Sequence, residues 1–154
     1  MMNLSSEVIS RLQGKTLVTA ESLTGGGIGA ALTAVPGASL VYRGGIVSYV
    51  NEVKRDVLGV SQEILERYGA VSPWTAGAMA TGVRKLLNAD IAVSVTGLAG
   101  PGGDEFGHPV GTVYIGYESP EKALVKQFSF AGSREDIRNQ TIRAALKLIL
   151  DNNP

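Results

Sequence analysis

Apolar runs alternate along the chain with segments of helical periodicity. The β-branched and apolar residues 16–20 and 89–97 predict two buried strands, and the alternation over residues 44–50 predicts a third. Residues 111–118 and 122–130 predict two further strands, which a short turn joins into an antiparallel hairpin. Helices are predicted at about residues 4–12, 24–35, 51–58 and 72–87, in a short segment from residue 61, and from residue 133 onward.

Buried strands that alternate with helices indicate an α/β fold with helices on both faces of the sheet. The chain of 154 residues has the length of one domain, and no linker, repeat or low-complexity tract divides it. The sequence therefore predicts a single-domain, three-layer α/β/α fold with a mixed sheet over residues 1–154.

Polar residues are predicted to begin several helices, including Ser61 and Ser72. Thr24 is expected to cap the helix that contains the triple glycine, and Asn51 is expected to cap the next helix. Ser133 is expected to cap the last helix, because Glu135 and Asp136 follow in the first turn, where the helix dipole favours acidic side chains.

Composition removes several classes of chemistry. The chain has no Cys, so thiol catalysis and cysteine-ligated metal sites are excluded, and its one His cannot form a site that needs two imidazoles. We therefore expect neither a metal nor a cofactor. Because 14 basic residues balance 14 acidic ones, the broad positive field typical of non-specific nucleic-acid binding is missing.

Hydropathy gives expectations about location and assembly. No apolar run approaches the ~20 residues that span a bilayer, and the amino end lacks the pattern of a leader, so we expect a soluble cytoplasmic protein that does not bind membranes. An apolar content of 44% leaves room for a subunit face and hence a homodimer. A well-filled core accounts for that content equally.

Glycine is enriched, with 20 of 154 residues, and it falls in two clusters. The first contains Gly25, Gly26, Gly27 and Gly29, and the second contains Gly97, Gly100, Gly102, Gly103, Gly107 and Gly111. Since glycine lets a backbone approach another group closely, these clusters are candidate ligand-binding segments.

The first cluster follows Ser22, which lies in the turn between a buried strand and a glycine-rich helix start. Such a turn lies at the carboxyl edge of the sheet, where open α/β folds bind ligands, and the N–H groups of residues 24–26 at the helix start are expected to stabilise a negative oxygen. The segment contains neither the Gly-x-Ser-x-Gly motif of α/β-hydrolases nor a Walker loop. Ser22 is thus a candidate nucleophile or an ordinary turn residue.

A nucleophilic serine needs a base. His108 lies in a glycine-rich loop with no pattern that would orient it, and we interpret it as a solvent-facing residue. Lys54 lies near a helix start that disfavours an ammonium by about 0.3–1 kcal/mol, yet its pKa must fall by roughly 3 units to act near pH 7. Burial, or a hydrogen bond to Tyr49 or Ser22, would have to supply the rest. The alternative is a solvated lysine.

The second cluster follows a strand, and successive N–H groups in residues 96–104 can form an anion nest. Arg134 and Arg138, one turn apart on the last helix, can close on a phosphate. A surface loop without a ligand, and arginines paired with acidic neighbours such as Glu135, are the alternatives.

Six segments in the order TAESLTGG, GGIVSYVNEVKRDVLGV, GAVS, VTGLAGPGG, PVGTVYIGY and SREDIRNQ resemble the CinA C-terminal-domain family, which includes the bacterial nicotinamide-nucleotide amidases. The resemblance covers residues 19–143. It implies a metal-independent amidohydrolase that converts nicotinamide mononucleotide to nicotinate mononucleotide and ammonia.

The resemblance also implies roles for individual residues. The family's nucleophile falls on Ser22, its lysine on Lys54 and its tyrosine on Tyr49, and its site arginine falls on Arg138 or on Arg134, with Arg138 preferred. The substrate-binding residues implied by the motifs are Thr24, Gly25, Gly26, Thr96, Gly97, Gly100, Gly102, Gly103 and Arg138.

The sequence departs from a common family form at Leu23, where a cysteine often stands, and over residues 104–108, which we expect to affect the choice of substrate. Two other functions stay open. One is a catalytically silent module that binds nucleotides, and the other is an amidase that acts on a different carboxamide.

Overall fold

Five strands and six α-helices alternate along the chain, and the computed structural model describes all residues from 1 to 154. In chain order they are α1 (Met2–Arg11), β1 (Leu17–Glu21), α2 (Gly27–Thr33), β2 (Tyr42–Val47), α3 (Asn51–Asp56), α4 (Gln62–Tyr68), α5 (Pro73–Leu86), β3 (Ile91–Gly97), β4 (Thr112–Glu118), β5 (Ala123–Ser129) and α6 (Arg134–Asp151). A short 3₁₀ turn, Ala38–Leu40, precedes β2.

The strands form one mixed sheet in the order β2-β1-β3-β4-β5. β1 is parallel to both β2 and β3, whereas β4 runs antiparallel to β3 and to β5, so the predicted hairpin is confirmed. At the carboxyl end of β1, Glu21 is in register with Val47 of β2 and Val95 of β3. The next residue, Ser22, therefore leaves the sheet between the ends of two parallel neighbours.

Helices cover both faces of the sheet. Leu17 of β1 joins a large apolar cluster that includes residues of α1, α2 and α6, while Val18 and Ala20 join a second cluster with α5. Because neighbouring residues of a strand face opposite sides, one buried strand contributes to both clusters. This arrangement confirms the predicted three-layer fold. None of the helices is both long enough and apolar enough to cross a membrane.

The first glycine-rich helix is capped differently from the prediction. The hydroxyl of Thr24 donates to Glu21 Oε1 at 2.6 Å and caps no backbone group. The fully buried Glu21 instead accepts from the N–H groups of Ile28 (2.8 Å) and Gly29 (3.0 Å), so α2 begins at Gly27. The carboxylate does this because it is longer than a threonine side chain and carries a charge that the helix start favours.

The other predicted caps have mixed outcomes. Asn51 is the first residue of α3 and caps nothing, because Val50 occupies the capping position. Ser133 does cap α6: its Oγ accepts from the N–H of Asp136 at 3.1 Å, and the Asp136 carboxylate accepts from the N–H of Ser133 at 3.0 Å. This reciprocal capping box fixes where α6 starts.

Candidate active site

Ser22 and Lys54 lie side by side, although 31 residues separate them in the sequence. Lys54 Nζ donates to Ser22 Oγ at 3.1 Å. Ser22 is 7% exposed and Lys54 is 1% exposed, so the lysine is the largest fully buried side chain of the protein. The distance falls within the range in which a base takes a proton from a hydroxyl group.

The ammonium of Lys54 has two further acceptors, both backbone carbonyls of the segment between β2 and α3. Nζ donates to Ser48 O at 2.6 Å and to Tyr49 O at 3.1 Å, and no carboxylate bonds to it. A charged lysine thus has an acceptor for each of its three protons. In the neutral amine, the two carbonyls hold the two protons and the lone pair is left directed at Ser22.

Burial lowers the pKa of Lys54 from 10.5 to about 8. The cause is desolvation of the charged form, which is one of the effects that the sequence analysis required in addition to the weaker helix dipole. At pH 7 about a tenth of such lysines are neutral, so the base form is present under ordinary conditions.

The turn after Ser22 is held from two sides. The N–H of Gly25 donates to Ser22 O at 3.0 Å, and Gly25 has a positive φ of 59°. From α6, Arg138 Nε donates to Leu23 O at 2.9 Å and its terminal amino group donates to Thr24 O at 3.3 Å. Since Ser22 N also donates to Val95 O at 3.2 Å, the backbone around the serine is fixed in place.

The turn leaves some N–H groups free. The N–H groups of Leu23, Thr24 and Gly26 donate to no acceptor within the chain, whereas that of Gly25 is occupied. Of the residues with free N–H groups, Leu23 lies on the cavity beside Ser22. The predicted set of oxyanion donors, residues 24–26, thus includes one occupied group and omits Leu23.

A cavity of about 480 Å³ opens over Ser22 and Lys54. Its size lies within the range of small-molecule sites. It is lined by Ser22, Leu23, Tyr49, Asn51, Lys54, Gly69, Ala70, Val71, Thr96, Gly97, Leu98, Ala99, Gly100, Gly102, Asp104, Glu105, Phe106 and Arg134. The structure thus places Thr96, Gly97, Gly100 and Gly102 of the expected binding residues on the cavity wall.

Five of the expected binding residues do not line the cavity. Thr24, Gly25 and Gly26 form the turn beneath Ser22, Gly103 lies outside the lining, and Arg138 binds the carbonyls of that turn. Of the two α6 arginines, the family motifs favour Arg138 as the site residue, whereas the structure places Arg134 at the cavity. Arg138 lies one helical turn further along α6, and it therefore bonds to the backbone beneath Ser22 and not to the cavity wall.

Arg134 connects two segments of the cavity wall. It donates to Gly100 O at 2.6 Å and to the hydroxyl of Tyr49 at 3.0 Å, both neutral groups. The guanidinium therefore has no acidic partner in the chain. The hydroxyl of Tyr49 thus bonds to Arg134 and to neither Ser22 nor Lys54, and the residue contacts Lys54 through its backbone carbonyl alone.

The loop after β3 contributes cavity residues that the sequence did not single out as binding residues. Asp104, Glu105 and Phe106 line the cavity, and their acidic and aromatic character was visible in the sequence only as a departure from the common family form. His108 is not solvent-facing as predicted, because its side chain is 25% exposed and Nδ1 lies 2.7 Å from Asp104 Oδ2. No three acidic or histidine side chains cluster as they would to hold a metal ion.

The chain matches a family model described as the CinA C-terminal domain over residues 2–152. A CinA-like protein of Endomicrobium trichonymphae is 49% identical over 135 residues, which cover 88% of this chain and 32% of that protein. A CinA-like protein of Parasynechococcus marenigrum is 45% identical over 148 residues, covering 94% of this chain and 35% of that protein. The chain thus spans about a third of the length of these curated relatives.

Solved structures share the whole fold. The competence/damage inducible protein CihA of Agrobacterium tumefaciens is 39% identical with a TM-score of 0.96, covering 99% of this chain and 95% of that chain. The competence damage-inducible protein A of Klebsiella pneumoniae is 38% identical with a TM-score of 0.95, covering 97% of this chain and 94% of that chain.

Proposed function

The chain belongs to the CinA C-terminal domain family, and from that premise we propose that it is a metal-independent amidohydrolase that converts nicotinamide mononucleotide to nicotinate mononucleotide and ammonia. The observation that carries the proposal is the contact of 3.1 Å between Lys54 Nζ and Ser22 Oγ at the cavity. A buried lysine without an acidic partner, placed next to a serine hydroxyl, has the arrangement of a base and its nucleophile.

In the first half of the reaction, neutral Lys54 takes the proton of the Ser22 hydroxyl as Oγ attacks the carboxamide carbon. Ser48 O and Tyr49 O then accept two of the three ammonium protons. The tetrahedral intermediate collapses as Lys54 returns a proton to the departing nitrogen, which leaves as ammonia. The product of this half is an acyl-enzyme, with the pyridine carbonyl bonded to Ser22 Oγ.

In the second half, the same lysine takes a proton from water as the water oxygen attacks the acyl carbon. The bond between that carbon and Ser22 Oγ then breaks, Lys54 returns the proton to Oγ, and nicotinate mononucleotide leaves. The oxyanion of both intermediates needs a fixed donor, for which the free N–H of Leu23 is placed directly after the nucleophile. One such donor contributes about 2.7–4 kcal/mol to the barrier reduction.

The rest of the cavity supports a phosphorylated substrate. Arg134 has no acidic partner and can pair with a phosphate. Thr96, Gly97, Gly100 and Gly102 line the same cavity, and their backbone can approach the substrate closely. In this proposal Arg138, Gly25 and Gly26 act on the turn that carries Ser22 and do not contact the substrate.

An assay of the purified chain with nicotinamide mononucleotide tests the proposal. Ammonia and nicotinate mononucleotide are expected in equal amounts, both with and without a chelator, because no protein side chains are arranged to hold a metal. Calorimetric binding of the nucleotide without release of ammonia would favour a silent nucleotide-binding module. Hydrolysis of another carboxamide, with this nucleotide left intact, would keep the mechanism and reject the substrate.

The pH dependence of hydrolysis follows from Lys54. Its pKa of about 8 in the free protein means that the base form increases tenfold per pH unit below pH 8 and then levels off. We expect log kcat/KM to rise with a slope near 1 up to about pH 8 and to reach a plateau above it. Steady-state rates from pH 6.5 to 9.5 measure this, and a profile that is flat or falls over that range contradicts a lysine base.

A further inference from the structure

Three consecutive residues of the cavity wall, Asp104, Glu105 and Phe106, have no part in the mechanism above. The carboxylates of Asp104 and Glu105 line the same cavity as the cationic groups of Lys54 and Arg134. A site for a purely anionic substrate would gain nothing from acidic groups, which repel a phosphate. The mixture of signs therefore calls for a substrate that also carries positive charge.

Asp104 shapes this segment of the loop. Its Oδ1 accepts from the N–H of Phe106 at 3.2 Å and from that of His108 at 3.0 Å, while Oδ2 contacts His108 Nδ1. Burial by itself raises the pKa of Asp104, but the hydrogen bonds of His108 outweigh it and hold that pKa below its usual value. Asp104 is thus an ionised residue already occupied by its own loop.

Phe106 and Glu105 remain available to a ligand. Phe106 is 41% exposed, and its ring packs over the backbone of Gly69, where an added Cβ would lie 2.6 Å from the ring. Since Gly69 also lines the cavity, the ring lies against another residue of the cavity wall. Glu105 is exposed and makes neither a hydrogen bond nor an ion pair within the chain.

We propose that Phe106 and Glu105 recognise the positive charge on the aromatic ring of the substrate, so that the site selects a zwitterion in which a cationic pyridinium is joined to a phosphate. This rests on the proposed function and identifies what distinguishes its substrate from a neutral aromatic amide. A cationic ring is attracted to the face of Phe106, and the unpaired Glu105 carboxylate adds a Coulombic attraction. Arg134 pairs with the phosphate at the other end of the molecule.

Nicotinamide mononucleotide and its dihydro form provide the test, because they share the carboxamide, ribose and phosphate and differ in the charge of the ring. Binding of each is measured by calorimetry on the Ser22→Ala chain, in which turnover is blocked. We expect the cationic form to bind at least about tenfold more tightly. Phe106→Leu and Glu105→Gln should each reduce this preference by about 2- to 5-fold.

The matched control is Glu63→Gln, which removes the same charge from an exposed position on α4 outside the cavity and should leave the preference unchanged. Equal affinities for the two forms overturn the proposal, as does a preference that Phe106→Leu and Glu105→Gln both leave intact. Failure of the proposed function gives a different result. In that case the cationic form still binds more tightly, but the unsubstituted chain releases no ammonia.

Discussion

Ser22→Ala is expected to reduce kcat for amide hydrolysis by at least about 10³-fold, because the acyl-enzyme can no longer form. The substitution removes one oxygen from a buried position and leaves the turn bonds of Gly25 and Arg138 unchanged. Substrate should still bind with similar affinity, since the cavity wall is intact. Single-turnover measurements and calorimetry on the same variant separate the two effects.

Lys54→Met belongs to the same prediction, since the pair acts as a unit. Loss of a general base costs about 10²–10⁴-fold, and methionine fills a similar volume without a proton acceptor. The double variant should be no slower than the slower single variant, because effects within a catalytic unit are not additive. Lys85→Met, which removes an exposed lysine of α5, is the matched control and should keep full activity.

The stability of Lys54→Met shows whether its loss of activity comes from the missing base or from unfolding. A lysine pKa lowered to about 8 means that the unfolded chain binds more protons than the folded one between about pH 8 and 10.5. The charged lysine therefore destabilises the fold below pH 8, by about 3 kcal/mol, and this cost disappears as the pH rises through that window. In Lys54→Met the cost is absent, while the buried Ser48 carbonyl loses its donor at about 1–3 kcal/mol and the partly exposed Tyr49 carbonyl can bond to water instead.

The midpoint of urea unfolding of Lys54→Met at pH 7 should therefore be close to or above that of the unsubstituted chain. An inactive variant that is also much less stable would not support the role of the lysine. Normal turnover in Ser22→Ala or in Lys54→Met would reject the nucleophile or the base directly.

Glu21→Ala is expected to destabilise the fold by about 3–5 kcal/mol, the second large effect. The buried carboxylate accepts from three groups, the Thr24 hydroxyl and the N–H groups of Ile28 and Gly29. Without it these donors lose their partner at a site that water does not reach. Because a domain is stable by only about 5–15 kcal/mol, equilibrium urea unfolding should show a large shift.

Glu21→Gln keeps the shape of the side chain and removes its charge, so it measures how much the charge contributes. Its carboxamide oxygen can still accept hydrogen bonds, but its amino group faces another donor, so we expect a loss of about 1–3 kcal/mol. Folded Glu21→Gln should also turn over more slowly, since Ser22 is the next residue and small displacements of a nucleophile reduce the rate strongly. Glu63→Gln is the control for both measurements. Unchanged stability in Glu21→Ala would contradict the capping role.

The strands were predictable because burial on both faces leaves a local signature. β1 and β3 are continuous runs of apolar and β-branched residues, and both strands lie near the predicted positions. β2 begins two residues before the prediction, at Tyr42, and ends three residues before it, at Val47. Its exposed and half-buried positions alternate, so its edge position in the sheet gives a weaker pattern.

The candidate site was predictable where neighbours in sequence are neighbours in space, and less so elsewhere. Ser22 and Lys54 could be named from the turn and from the family motifs, but burial of Lys54 depends on how α3 packs. The choice between Arg134 and Arg138 depends on the rotation of α6, which its buried residues Ile137 and Thr141 determine. Glu21 caps a helix that starts six residues later, beyond the spacing of local capping motifs.

The proposed nucleophile follows β1 and the proposed base lies on α3, both within about the first third of the chain, whereas Arg134 comes from the last helix. During synthesis, Ser22 and Lys54 therefore leave the ribosome about 80 residues before the arginine that completes the cavity. The same helix supplies Arg138, which holds the turn beneath the serine. A growing chain thus carries both residues of the proposed pair before the helix that completes the cavity, so the proposed hydrolysis requires α6 to be in place.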